Sequence, residues 1–372
     1  MAEKAKLIID ILETLAPKGE ALSWDNVGLQ VGDQDSFVKK ALICLDVNDK
    51  VLDEAIENGC QMIVTHHPLI FKPIKSILKN EVKGNIIYRA IKNNINIYSA
   101  HTNIDIVEEG LNDFICYKLG FSNTQFLETI NSYSYVKLVV FVPEDCVDTL
   151  AEVLGDAGAG HIGNYSNCSF RASGIGTFKP LTGSNPYIGE EGQVELVKEV
   201  RLETIVEESK LNHVIEEMVK AHPYEEVAYD IYPLAIKKPK NGIGRVADLD
   251  SSVPTTILIE NIKASLGIEN LRFIGDINRA VNRIAVINGS GADYIGLAAA
   301  AKCDCLLTGD IKYHEAQLAL DLGVNVIDIG HYESEIHFIE LVTDYLNSCF
   351  SKTNIDVEVI ASRVYNNPFQ YL

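Results

Sequence analysis

The sequence predicts an α/β fold: two related α/β halves forming one metal-binding body, interrupted by a ferredoxin-like βαββαβ insert. Three observations carry this. Short apolar strands alternate with helix-period stretches over residues 41–120 and again over 283–350. In both stretches, His, Asp and Glu collect where strands run out, the place where open α/β sheets bind ligands. Between them the chain changes to longer alternating strands with glycine-rich breaks. The expected domains are 1–130 (first half of the body), 131–236 (insert) and 237–372 (second half).

In chain order, residues 6–16 read as an amphipathic helix. Residues 21–32 follow, with the only tryptophan, Trp24, beside Asp25 and Asn26. This is either a turn anchored by an aromatic ring or a loop that reaches a site. A strand is expected at 41–47, then a helix at 49–58 stopped by Gly59. The strand 61–65 runs into His66-His67-Pro68. A basic stretch with Phe71, Lys72 and Lys75 precedes a helix at 81–93. The strand 95–100 ends at His101-Thr102-Asn103-Ile104-Asp105, and a helix at 108–119 closes the segment at Gly120.

The second half repeats this order. The strand 284–287 leads into Asn288-Gly289-Ser290-Gly291, and an Ala-rich helix covers 293–302. The strand 305–308 ends in Gly309-Asp310, and the helix 313–322 carries His314. The strand 325–329 ends in Gly330-His331, and the last helix spans 332–348. Val64-Thr65-His66 answers Leu307-Thr308-Gly309, and the two chains from Asn96 to His101 and from Asn325 to His331 match in order. This pattern reads as a degenerate internal duplication whose polar strand ends converge. In the insert, strands at 135–143, 164–178, 193–206 and 226–232 and helices at 145–156 and 210–221 give βαββαβ. Residues 237–242 read as a linker back to the body.

With 32 Lys and Arg against 52 Asp and Glu, the net charge is −20, which argues against a broad nucleic-acid or anionic-membrane surface. No apolar run has transmembrane length, and no signal peptide is visible. The eight scattered cysteines fit reduced structural thiols in a cytoplasm. There is no Gly-x-Gly-x-x-Gly turn, Walker loop or Gly-x-Ser-x-Gly elbow. The glycines of Asn241-Gly242-Ile243-Gly244-Arg245 are too few to make a phosphate loop.

Two adjacent imidazoles at a strand end are poor core material and good metal ligands. His331 and Glu335, four apart on one helix face, can chelate one ion. With Asp105 they make a set of three imidazoles and two carboxylates, suited to Zn, Fe or Mn. Five ligands exceed what one catalytic zinc takes, so His66, His67, Asp105, His331 and Glu335 are expected to hold two divalent ions. His101, Asp310 and His314 lie near the same junctions. They either orient ligands and move protons or merely cap and face solvent.

The Trp24–Leu29 stretch, Thr65-His66-His67-Pro68, His101–Asp105, Thr308-Gly309-Asp310 with His314, and Gly330-His331 with Glu335 occur in one order. Together they resemble the NIF-three-like family, whose bacterial members are often labelled GTP cyclohydrolase 1 type 2 homologues. The middle, above all residues 221–230 (Ala-His-Pro-Tyr-Glu-Glu-Val-Ala-Tyr-Asp), resembles the PII/CutA-like insert of the long bacterial members. The resemblance implies a dinuclear site on the five residues named and a ring-shaped homohexamer. The first functional expectation is metal-activated hydrolysis of a nucleotide or related small molecule, with Lys72 or Lys75 meeting phosphates. The competing expectations are a metal-handling protein (chaperone or insertase), a regulator that senses a ligand through the insert, and a scaffold whose ions only staple the ring.

Overall fold

The computed structural model describes residues 2–364 and 367–370, with the backbone alone for 237–239. The chain divides into two compact units: a body of 1–130 with 240–372, and a second unit of 131–239. It leaves the body along strand Gln125–Pro143 and returns along strand Tyr229–Pro254.

The body is built on two main sheets, beside a short antiparallel pairing of Glu3–Lys4 with Phe37–Val38. In the first, Glu358–Ala361, Lys40–Cys44, Met62–Thr65 and Asn96–Ser99 run parallel, and Gly28–Val31 closes the edge antiparallel to Asn96–Ser99. In the second, Ala280–Ser290, Cys305–Gly309 and Asn325–Asp328 run parallel. The short antiparallel strand Arg272–Ile274 closes one edge, and Arg245 to Pro254 pair on the other. Crossover helices such as Asp49–Glu57 and Val82–Lys92 join the strands. Asn48 caps the first of these by accepting the Val51 N–H.

Met62–Thr65, Asn96–Ser99, Cys305–Gly309 and Asn325–Asp328 are buried at every residue because both faces of each sheet are covered. Ala41, Ile43, Met62, Val64 and Tyr98 share one core with Ile284, Val286, Cys305, Leu307 and Ile327. The alternate residues Leu42, Cys44, Ile63 and Ile97 pack into a second cluster, and Ala285, Leu306 and Val326 into a third. The two inner faces thus meet in a common core, into which helices Ala5–Leu15 and Phe338–Thr353 also pack. This packing fixes the strand ends that carry the polar residues.

The second unit has strand–helix–strand–strand–helix–strand order, with helices Val147–Asp156 and Leu211–Ala221. Glu195–Glu207 lies between Tyr135 to Pro143 and Ser169–Phe178, antiparallel to both. Apolar residues of these strands and helices, among them Leu138, Val140, Leu202, Val214 and Met218, form its core.

Several elements differ from expectation. Residues 237–242 do lead from the second unit back to the body, but as part of strand Tyr229–Pro254 rather than as a loop; the side chains of 237–239 lie outside the described residues. Gly28–Val31 is a strand, where its glycines favour a loop. The last helix is two, His331–Glu335 and Phe338–Thr353, although its apolar period runs through the break. A short helix, Thr102–Ile106, precedes Leu111–Lys118. Helix Thr255–Leu266 and strands Arg272–Ile274 and Glu358–Ala361 were not expected from the sequence pattern. All eight cysteines are free thiols, and burial pushes that of Cys44 up to about 12. Among the described residues, no helix is long and apolar enough to cross a membrane.

Candidate metal centre

His66 and His67 follow strand Met62–Thr65, and Thr65 locks the turn by donating its hydroxyl to the carbonyls of Leu45 and His67. Asp105 sits on helix Thr102–Ile106, just past strand Asn96–Ser99. His331 and Glu335 come from the opposite sheet, at the two ends of helix His331–Glu335. The structure brings all five together.

Glu335 is the hub. Its Oε2 lies 2.8 Å from His67 Nε2 and 2.9 Å from His331 Nε2, and these two nitrogens are 3.4 Å apart. Its Oε1 lies 3.6 Å from His66 Nε2, which is 3.8 Å from Asp105 Oδ1. The carboxylate therefore divides its two oxygens between two nitrogen–oxygen clusters. His66 is fully buried and Glu335 nearly so, while His67 and His331 remain partly open.

Each imidazole has its other nitrogen tied down. His66 Nδ1 is 2.9 Å from the Ala100 carbonyl, His67 Nδ1 is 2.8 Å from Asp46, and His331 Nδ1 is 2.7 Å from Asp310. With the Nδ1–H donated outward, each Nε2 presents a lone pair to the centre, the tautomer a metal ligand needs. Asn288 donates to Asp105 Oδ1 at 2.9 Å, and its own N–H reaches Asn112 Oδ1.

These residues fit a metal. His66 Nε2 and Glu335 Oε2 are buried and make no hydrogen bond, despite the close nitrogens around the latter. A buried, unbridged carboxylate costs several kcal/mol, so cations must occupy this space, as protons or as metal. Charge supports the same conclusion. Burial alone would raise Glu335, but the imidazoles of His66, His331 and His67 hold it well below the usual carboxylate range. Burial would lower His67, but Asp46 and Glu335 push it up to about 10. Glu335 and Asp310 likewise raise His331 to about 9 against burial. His66 is raised by Asp105 and Glu335, again against burial, and burial raises Asp105. An imidazole and carboxylate donor set suits borderline divalent ions.

Of the remaining expected residues, His101 and Asp310 join the cluster and His314 does not. The His101 ring lies 5.1 Å from that of His66, and His66, His67 and His101 form a second group able to hold an ion. Its Nδ1 is 3.0 Å from Asp25, which also accepts from the Thr102 N–H and hydroxyl and from the Asn26 N–H. Burial would raise Asp25, but His101 and Thr102 lower it to about 2. Asp25 thus places the Trp24 loop at the site. His314 is exposed on helix Tyr313–Leu322, where its Nδ1 meets Gln317 of the same helix. The helix turns that side chain outward, so proximity in sequence misled. Asp46, Asn288 and Asn112 were missed. Asp46 was findable, since it follows strand Lys40–Cys44 at the same sheet end as His66.

Fold and site define an α/β protein with a His/Glu cluster that could hold metal between two sheets. The Duf34/NIF3 (NGG1p interacting factor 3) family model matches residues 3–368. Relatives named GTP cyclohydrolase 1 type 2 homolog from Halalkalibacterium halodurans and Bacillus subtilis are each 40% identical over 365 residues, 98% of both chains. A crystal structure of a Bacillus cereus protein related to NIF3 has 40% identity and a TM-score of 0.88, covering 100% of this chain and 99% of that one. A Staphylococcus aureus protein has 32% identity and a TM-score of 0.81 over the same shares. The chain belongs to the Duf34/NIF3 family.

Proposed function

We propose that the chain is a dinuclear metal-dependent hydrolase of a nucleotide or related ring compound, in keeping with its relatives' name. One observation carries this reading: Glu335 turns one oxygen toward His66, whose Nε2 also faces Asp105, and the other toward His67 and His331. His66 and Asp105 would hold one ion, His67 and His331 the other, and Glu335 would bridge them. When bound, such a pair lowers the pKa of water and polarises an oxygen of the substrate. The protein's part is orientation. Asp46, Asp310 and the Ala100 carbonyl fix the ring planes of the three histidines. His101, fixed by Asp25 through Nδ1, keeps Nε2 available to carry a proton between solvent and the reacting water. For a guanine-type ring, one water would add to the imidazole carbon and break one of its two C–N bonds to leave a formamide, and a second water would hydrolyse the formamide, releasing formate and leaving both former ring nitrogens as amines.

A second reading, metal handling, is favoured by the openness of the His331 side chain, which is 33% exposed. We also propose, on family grounds, a ring-shaped homohexamer working in the cytoplasm. The insert's strand–helix–strand–strand–helix–strand order, together with the PII/CutA resemblance, supports reading it as a ferredoxin-like unit with a ligand-sensing role.

The test is to purify the protein without chelator, count transition-metal ions per chain, and screen GTP and related nucleotides for metal-dependent product. Metal with turnover lost in His67→Ala, the fold intact, supports the hydrolase. Rapid transfer of the ion to an apo-acceptor without turnover supports metal handling. Fewer than one ion per chain in metal-replete protein overturns both. Light scattering reads the oligomer.

A further inference from the structure

We infer that the cavity beside the centre seats an uncharged planar heteroaromatic ring, clasped by Trp24 and Phe71, and reads the ring rather than any phosphate it bears. This rests on the hydrolase reading of the centre.

The cavity, of about 290 Å³, shares His331, Glu335 and Asp105 with the centre, and Trp24, Phe71 and Tyr294 are among its other walls. That is the small end of the range for ligand sites. Trp24 and Phe71 meet edge to face at 5.9 Å, and each stands edge-on to His101, at 6.2 and 6.5 Å. Three rings around one point leave faces for a fourth. Trp24 is 58% and Phe71 42% exposed, an unfavourable display for such large apolar groups unless something covers them.

The clasp is preformed. Ile70, the neighbour of Phe71, receives a hydrogen bond from Asn26 and donates one to Gln30 at 2.9 Å. Gln30 in turn donates to the Asn26 carbonyl. The two loops that carry the rings are thus tied before a ligand arrives, which lowers the entropy cost of binding. Ser290 and Tyr294 also line the cavity, and their hydroxyls favour a ring with nitrogen or oxygen at its edge.

Among the described residues, no Lys or Arg lines the cavity. Lys72 and Lys75, expected to meet phosphates, are exposed and stand outside it. A larger neighbouring cavity, about 740 Å³, contains Arg272 and Lys312. There Asp310, Asp328 and Glu333 outnumber the cations, and Arg272 is paired with Asp328. Neither cavity makes a phosphate cradle.

Trp24 is the only tryptophan, so its emission reports on this cavity alone. The test titrates the zinc-loaded full chain with guanosine, GTP and inorganic tripolyphosphate. Guanosine should change Trp24 emission with an affinity close to that for GTP. Tripolyphosphate should neither change the emission nor displace guanosine. Phe71→Ala should weaken guanosine about tenfold or more, the worth of one stacking contact, with zinc per chain unchanged. GTP binding at least about tenfold tighter than guanosine, with tripolyphosphate competing, overturns the proposal. So does emission that no iodide can quench, which would show a neighbouring copy covering Trp24. Undiminished guanosine binding by Phe71→Ala overturns it too, as does no response to any probe. If zinc remains bound in those cases, the metal reading stands; if the wild type holds no zinc, the hydrolase reading fails first.

Discussion

Two strand ends in the body occupy matching places and do different work. Met62–Thr65 and Cys305–Gly309 are each the middle of a consecutive run of three parallel strands, Lys40–Cys44 to Asn96–Ser99 and Ala280–Ser290 to Asn325–Asp328, the first run being extended by Glu358–Ala361 on its far side. In each sheet the third strand pairs with a short antiparallel edge, and it opens on an asparagine. Asn96 Oδ1 accepts the Asp33 N–H at 2.7 Å, and Asn325 Oδ1 accepts that of Asp276 at 3.0 Å. Past the middle strands, Thr65-His66-His67 supplies two imidazoles that face Glu335. Thr308-Gly309-Asp310 supplies none. A Cβ on Gly309 would lie 2.7 Å from the backbone nitrogen of His331, so glycine lets the chain carrying His331 pass close by. Asp310, at a φ of 58°, turns back to hold His331 Nδ1. The same backbone junction provides ligands on one side and support on the other. That division of labour explains how one carboxylate comes to sit between the two.

The largest expected effect falls on the shared carboxylate. Glu335→Ala should abolish binding of both ions, read by elemental analysis, because each cluster loses an oxygen at once. Retention of one full ion per chain by this variant would break the symmetry of the account. One step down, His66→Ala and His331→Ala should each cost one ion and leave the other, separating the two clusters. Gly309→Ala should destabilise the protein by about 1–3 kcal/mol, the usual cost of overpacking, and displace His331; an unchanged melting temperature would deny the crowding. Asp46→Asn and Asp310→Asn remove an orienting partner from each side. Both should weaken metal affinity about 10–100-fold, by chelator competition. Asp25→Asn, which touches His101 rather than a ligand, should leave affinity alone and alter the pH profile of turnover.

The pH dependence is the gentlest test. Without metal, His67 and His331 keep their protons up to about 10 and about 9, above their ordinary 6.5. Those protons stabilise the metal-free fold in full below 6.5, and this contribution disappears as pH rises through 9 and 10. Metal needs the same lone pairs, so its affinity should rise with pH and its binding should release protons. The gain in melting temperature on adding zinc should therefore grow between pH 6.5 and 9. A gain that shrinks over that range would contradict the assigned tautomers.

The strand–helix alternation and the five converging residues were legible because parallel strands buried on both faces read as apolar runs, and their ends are where polar residues stand out. The supporting shell was not. Asp46, Asn288 and Asn112 look like ordinary turn residues until the sheets face each other. Gly28–Val31 and Arg272–Ile274 are edge strands defined by what they pair with, not by their own pattern. Trp24 was ambiguous because its meaning depends on Phe71, 47 positions away in the chain.

The central claim is that two ions share Glu335. Anomalous scattering at the zinc edge from a zinc-loaded crystal tests it most directly. Two peaks per chain are predicted, one beside His66 and Asp105, the other between His67 and His331, with a Glu335 oxygen toward each. A single peak, or two peaks with Glu335 bound to neither or to only one, would contradict it.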